Sequence, residues 1–309
     1  MTDSLETQHT PTYTRPRVYV NHGVVIKLAE SYEALEAESL AAVAPLWPKY
    51  PKAHRLWETL LNDPETQANW DMANYMVVTK LGYNDHGMTH GLVTSTNAVR
   101  IFDMLVGAGL APDVVQSGAG DLDDACLVST VATLIHDIGN QLHRKSHELF
   151  GMVLAQTLLD RLMPAIYPDV EQRVELRAFI LSAILTHDLD PLPLTFEGGL
   201  VAVADGTDVT KGRGRMAFDL GKIDIHSVSA LAIDEVRLGP GKEAPVEITV
   251  VMNNSAGIFQ IEDTLTRKVV KGPLSKWITV TALTQPADSG QDARIIERLT
   301  LRNGTFVAD

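Results

Sequence analysis

The stretch "DACLVSTVATLIHDIG", residues 124–139, places Leu127, Val128, Val131, Leu134, Ile135 and Ile138 at spacings of three and four, then runs into His136 and Asp137. That spacing predicts a helix with an apolar face, with Gly139-Asn140 as its stop. Ending a core helix on an imidazole and a carboxylate is costly unless both find partners in the interior. The combination recurs. "ILTHDLD" closes another apolar run with His187 and Asp188, and "VAVADGTDVTKGR" carries Asp205 inside a third. Histidine and aspartate repeatedly at the edge of a core face is the arrangement a buried metal site requires, because imidazole and carboxylate together suit divalent transition metals.

The rest of the chain is organised around these segments. Residues 1–17 are polar, contain Pro11 and Pro16, and are expected to form a flexible tail. From about Ser31 to Ile225 the periodicity is helical, with further apolar faces in "LVTSTNAVRIFDML", "HELFGMVLAQTLLDRLM" and "VELRAFILSAIL"; Ser146 is the expected N-cap of the second. After His226 the pattern changes to the β-branched alternation of strands in "APVEITVVM", "KWITVTALTQ" and "ARIIERLTLR". The segment "SAGIFQIEDTLTRKVV" reads as a helix between the first two strands, after a turn at Asn253-Asn254. The expected fold is therefore mainly α: a helical domain over 18–225, then a small α+β domain of unassigned role over 226–309.

Composition excludes several function classes. At 309 residues and 45% hydrophobic the chain can bury a large core, and its single cysteine, Cys126, cannot form an internal disulfide. With no secretory profile at the N-terminus, the expected location is the cytoplasm. No apolar run approaches the roughly 20 residues of a membrane-spanning helix. A formal charge of −13 repels a phosphate backbone, which disfavours nucleic acid as a partner but leaves a small phosphorylated ligand held by local cations.

Six of the ten histidines fall between residues 86 and 187: His86, His90, His136, His143, His147 and His187. His86 and His90 are four apart, as are His143 and His147, so each pair shares a face wherever its segment is helical. Asp188 and Asp208 are candidates for caps or for groups that orient the histidines.

The order His90, His136-Asp137, His147, His187, Asp205 resembles the HD-domain superfamily of metal-dependent phosphohydrolases, in the subset with the long H…HD…H…H…D pattern. "THGLVTSTNAV" resembles that family's first-histidine helix, "TLIHDIG" its namesake motif, "HELFG" its third-histidine segment and "VADGTDVTKGRGR" its last-aspartate helix. The resemblance covers roughly residues 80 to 220. It implies a helical bundle of the HD type and two divalent transition metals, iron, manganese or zinc. His90, His136, Asp137 and Asp205 would hold one metal, and Asp137, His147 and His187 the other. His136 and Asp137 would be the catalytic centre of phosphoester hydrolysis, acting on a nucleotide or another small phosphorylated molecule. Cationic or hydrogen-bonding groups would assist at the phosphate, and the candidates are His86, His143, Arg144, Lys145, Lys211, Arg213 and Arg215. Asn140 stands where many relatives that hydrolyse cyclic dinucleotides carry lysine, and no "GYP" segment follows, which argues against that substrate. Two other classes share the ligand pattern: a di-iron oxygenase, and a non-catalytic metal or nucleotide sensor acting through the C-terminal domain. A homo-oligomer is compatible with all three readings.

Overall fold

The computed structural model describes residues 18–21, 24–27, 30–210, 229–284, 298–302 and 305–308. It is mostly helical, with a small sheet in the C-terminal region. A short antiparallel hairpin, β1 (Val18–Asn21) and β2 (Val24–Lys27), precedes the helices, where only helical structure was expected after residue 17. The chain then forms α1 (Glu30–Val43), α2 (Pro51–Leu61), α3 (Pro64–Asn74), α4 (Met88–Gly107), α5 (Asp113–Gln116), α6 (Leu122–Ile135), α7 (His147–Leu162), α8 (Val170–Thr186) and α9 (Phe196–Asp205). Among the described residues, no helix is long and apolar enough to cross a membrane.

The helix predicted from "DACLVSTVATLIHDIG" is the axis of the helical unit. Every residue of α6 from Asp124 to Ile135 is buried, so it is enclosed on all sides rather than laid along a surface. Helices α2, α4, α8 and α9 all pack on it. Its N-terminus is closed by a reciprocal capping box between Asp121 and Asp124. Asp124 is itself buried and further held by Tyr167 Oη at 2.6 Å and Lys52 Nζ at 2.6 Å. The α-helix stops at Ile135, earlier than Gly139-Asn140, and a 3-10 turn over Ile138–Gln141 follows. His136 and Asp137 therefore sit at the break between two helical geometries, where their side chains leave the axis of α6.

Glycines bring the helix ends together. A Cβ on Gly91 of α4 would lie 2.5 Å from the carbonyl oxygen of Leu134, so α4 and α6 touch backbone to side one residue from His90 and two from His136. A Cβ on Gly139 would lie 2.0 Å from His147 O and 2.3 Å from Gly151 N, and one on Gly151 would lie 2.8 Å from His136 O. The start of α7 thus seats directly on the turn after α6, with no space for a larger residue at either glycine.

The C-terminal unit is a five-stranded sheet in the order β3 (Ile233–Pro240), β4 (Val246–Met252), β5 (Ile278–Thr284), β6 (Arg298–Arg302) and β7 (Thr305–Ala308). The three predicted strands are β4, β5 and β6; β3 and β7 were not anticipated. Strands β4 and β5 pair in parallel and all other neighbours are antiparallel. A parallel pair requires a crossover, and the predicted helix supplies it. That helix runs as α10 (Gly257–Gln260), a π-helical segment (Ile261–Thr266) and α11 (Arg267–Lys271). The crossover packs on α9 through further close approaches: a Cβ on Gly199 would meet Pro273 at 2.6 Å, and one on Gly206 would meet Leu265 Cα at 3.1 Å.

Candidate metal centre

Six residues predicted as ligands converge in the interior of the helical unit. His90 comes from the first turn of α4, His136 and Asp137 from the break after α6, His147 from the first residue of α7, His187 from the residue after α8 and Asp205 from the last residue of α9. His90, His136, His147 and His187 are at most 2% exposed, and Asp137 is 5% exposed. His90 Nε2 lies 3.1 Å from Asp205 Oδ1 and 3.3 Å from His136 Nε2. Asp137 faces both halves of the cluster. Its Oδ2 is 3.2 Å from His136 Nε2 and 3.4 Å from His90 Nε2, while Oδ1 is 3.3 Å from His147 Nε2 and 4.0 Å from His187 Nε2. His147 and His187 meet at 3.1 Å through their Nε2 atoms.

The imidazoles are oriented by partners on their other nitrogen. Nδ1 of His136 stands 2.7 Å from Thr133 O, Nδ1 of His187 2.6 Å from Ile184 O, Nδ1 of His90 2.7 Å from Asp208 Oδ2, and Nδ1 of His147 3.1 Å from Arg144 O. An acceptor beside each Nδ1 places the ring hydrogen there and turns the Nε2 lone pair toward the cluster. Four such lone pairs and two carboxylates pointed at one another repel unless positive charge lies among them. This donor set fits a bound cation: His90, His136 and Asp205 form one group able to hold a metal ion, and His136, Asp137 and His187 form another.

The electrostatics of the side chains alone show the same demand. Burial works against protonating His136, yet the carboxylates of Asp137 and Asp205 outweigh it and hold its pKa up at about 9. Burial works against ionising Asp137, but His136, His86 and His147 keep its carboxyl well below the usual carboxylate range. Asp205 is held low in the same way by Lys268 and His136. Burial drives His187 well below the ordinary imidazole value, helped by the neighbouring His136, His147 and Lys268.

Several surrounding residues hold the geometry. Asn140 donates to Asp137 Oδ1 at 2.8 Å and so fixes the carboxylate that faces both halves of the cluster. Asp208 orients His90, as one of the two expected orienting aspartates; the other, Asp188, is exposed instead. Asp85, which the sequence did not flag, is buried and accepts from the backbone N of His90 at 3.0 Å, pinning the first turn of α4. Ser146 precedes α7 but does not cap it with its side chain, because its backbone is left-handed, with φ of 63°.

The expected phosphate-binding residues divide. Arg144 reaches the cluster edge, with Nη1 2.9 Å from His147 Nε2 and 3.3 Å from Asn140 Oδ1. His86 is buried beside His90, their ring centroids 5.9 Å apart, but it precedes α4, so the two do not share a helical face. His143 and Lys145 lie on the exposed segment before α7, where His143 Nδ1 accepts from Lys145 N, and they do not join the six side chains. His143 and His147 likewise share no helix, because α7 begins at His147. Lys211, Arg213 and Arg215 lie outside the described residues.

The sequence reading missed a second cation. Lys268 of α11 is 7% exposed and donates to Asp205 Oδ2. The signal was present: Lys268 follows Leu265 by three residues and Ile261 by seven, which puts a lysine on the apolar face of the crossover helix.

An uncharacterized protein of Methanocaldococcus jannaschii, MJ1020, is 35% identical to this chain over 227 residues, covering 74% of the chain and 87% of the archaeal protein. The chain belongs to the MJ1020 family. No family model matches it, and no solved structure matches it.

Proposed function

We propose that the protein is a metal-dependent phosphohydrolase of the HD type, hydrolysing a phosphoester of a nucleotide or another small phosphorylated molecule at a centre of two divalent transition metals. The observation that carries this reading is the two-sided position of Asp137, one oxygen toward His90 and His136 and the other toward His147 and His187. In that reading His90, His136, Asp137 and Asp205 hold one cation, and Asp137, His147 and His187 hold the other, with iron, manganese and zinc all suited to the donors. When bound, such a pair of cations lowers the pKa of a water and neutralises charge on the oxygens of an in-line displacement at phosphorus.

The chain's own residues supply the rest. Asn140 holds the Asp137 carboxylate between the two donor groups, and Asp208 beside Nδ1 of His90 would leave Nε2 free to hold a cation. Arg144 sets a guanidinium against the His147 side of the cluster, where negative charge on a transferring phosphoryl group would be stabilised. Burial of the four imidazoles keeps competing water away from them.

The test is to purify the protein anaerobically, reconstitute it with manganese, iron or zinc, and screen phosphate release over nucleotides and other small phosphoesters while recording oxygen uptake. Metal-dependent phosphate release without oxygen uptake is expected. Oxygen consumption coupled to substrate, with no phosphate released, would instead identify the di-iron oxygenase class.

A further inference from the structure

Lys268 is the only residue named so far that reaches the centre from the C-terminal unit. Its helix lies between β4 and β5 and packs on α9 through Gly199 and Gly206, so the sheet holds the lysine in place from outside the helical unit. A lysine at the core face of a helix is expensive to bury, and among the described residues it is held by Asp205. The two oxygens of Asp205 divide the work. Oδ1 faces His90 and His136 at 3.1 and 3.5 Å, on the ligand side, and Oδ2 receives the ammonium. The ammonium therefore stands one carboxylate width from the donor atoms. Arg144 stands at the opposite end of the cluster, beside His147 and 3.9 Å from Asp137 Oδ1.

Lys268 and Arg144 stand at opposite ends of the donor cluster, so an anion bound between them meets a cation on each side. A terminal phosphate, with a second pKa near 6, carries close to two charges at neutral pH and has three equivalent oxygens to share among metal and flanking cations.

We propose that Lys268 binds the substrate's phosphate, that the C-terminal unit thereby forms part of the substrate pocket, and that the phosphate accepted is a terminal, dianionic one. This rests on the phosphohydrolase reading and narrows its substrate class to phosphomonoesters. No covalent role falls to the lysine; it exchanges part of its contact with Asp205 for the incoming oxyanion.

The experiment uses the full-length, manganese-reconstituted protein in wild-type, Lys268→Met and Lys268→Arg forms. Metal content and melting temperature are measured on each sample, and inorganic phosphate and dimethyl phosphate are titrated calorimetrically at pH 7.5. Methionine matches the length and unbranched shape of lysine without its charge, and arginine restores the charge should the loss be one of packing. The expected result is undiminished metal content in all three. Phosphate affinity should fall about tenfold to a hundredfold in Lys268→Met and be largely retained in Lys268→Arg. Wild type should prefer phosphate to dimethyl phosphate, and the preference should shrink in Lys268→Met. The proposal is overturned if Lys268→Met binds phosphate as wild type does, if it loses metal in step with phosphate, which would make the lysine a support for Asp205 only, or if wild type binds no phosphate. Because binding is read without turnover, a wild type that binds phosphate but hydrolyses no monoester defeats the phosphohydrolase reading and leaves the assignment of Lys268 standing.

Discussion

Oδ1 of Asp137 lies 3.3 Å from Nε2 of His147, while Oδ2 of the same carboxylate faces His136 and His90. One side chain thus joins two sets of donors that arrive on different helices: α4 and the end of α6 on one side, α7 and the end of α8 on the other. Close backbone approaches at Gly91, Gly139 and Gly151 bring α4, the end of α6 and α7 together.

Asp137→Asn should therefore disrupt metal binding more than His86→Ala. The amide keeps the shape but loses the charge shared by both donor sets, whereas His86 packs beside His90 without joining the donor groups. Elemental analysis of both variants after reconstitution checks the ranking; equal metal loss would overturn it.

Gly139→Ala should damage both stability and site. The added Cβ would collide with backbone atoms of His147 and Gly151, neither of which can rotate away as a flexible side chain would. Displacing α7 should cost about 1–3 kcal/mol, the usual range for overpacking, and should lower metal affinity through His147. Urea unfolding at the wild-type midpoint, with normal metal content, would contradict the close seating of α7.

Acid stability depends on an ion pair away from the site. Asp63 caps α3 by accepting from Thr66 N at 2.9 Å and takes two 2.8 Å bonds from Arg161 of α7. The Arg161 guanidinium holds its pKa down at about 2, against an ordinary value of 3.8. A depressed carboxyl pKa contributes stability that is fully present above the unfolded value and is lost as pH falls through the folded one. Asp63→Asn should accordingly be less stable than wild type by about 1–3 kcal/mol at pH 7. The gap should narrow between pH 4 and pH 2. Thermal unfolding of both proteins across that range tests it, and a gap independent of pH would refute the assigned pair.

Much of this was legible in the sequence because helix periodicity and ligand chemistry are local. The apolar spacing from Leu127 to Ile138 announced α6, and a histidine or aspartate at the edge of an apolar face announced His136, Asp137, His187 and Asp205, whereas His90 and His147 were singled out as ligands only through the resemblance to the HD-domain pattern. The β-branched runs announced β4, β5 and β6 for the same reason. What escaped depends on tertiary contact. His86 and His143 share spacing with His90 and His147 but not a helix, because α4 and α7 begin only after them. Strand β3, "IDEVRLGP", has charged residues at Asp234, Glu235 and Arg237, and its pairing with β4 sets its structure rather than its own alternation. Lys268 was passed over because its contact with Asp205 forms only once the crossover helix packs on α9, and Asp85 because nothing in its sequence neighbourhood marks it as the acceptor for His90 N.

Whether this buried cluster hydrolyses phosphoesters by means of two metals is decided by the initial rate of phosphate release on the best phosphoester found, measured as a function of metal bound per chain during reconstitution of the metal-free protein with manganese. The expected rate rises with loading and levels off near two metals per chain. A rate that is already maximal at one, or phosphate release that is absent at every loading although the metal binds, would contradict it.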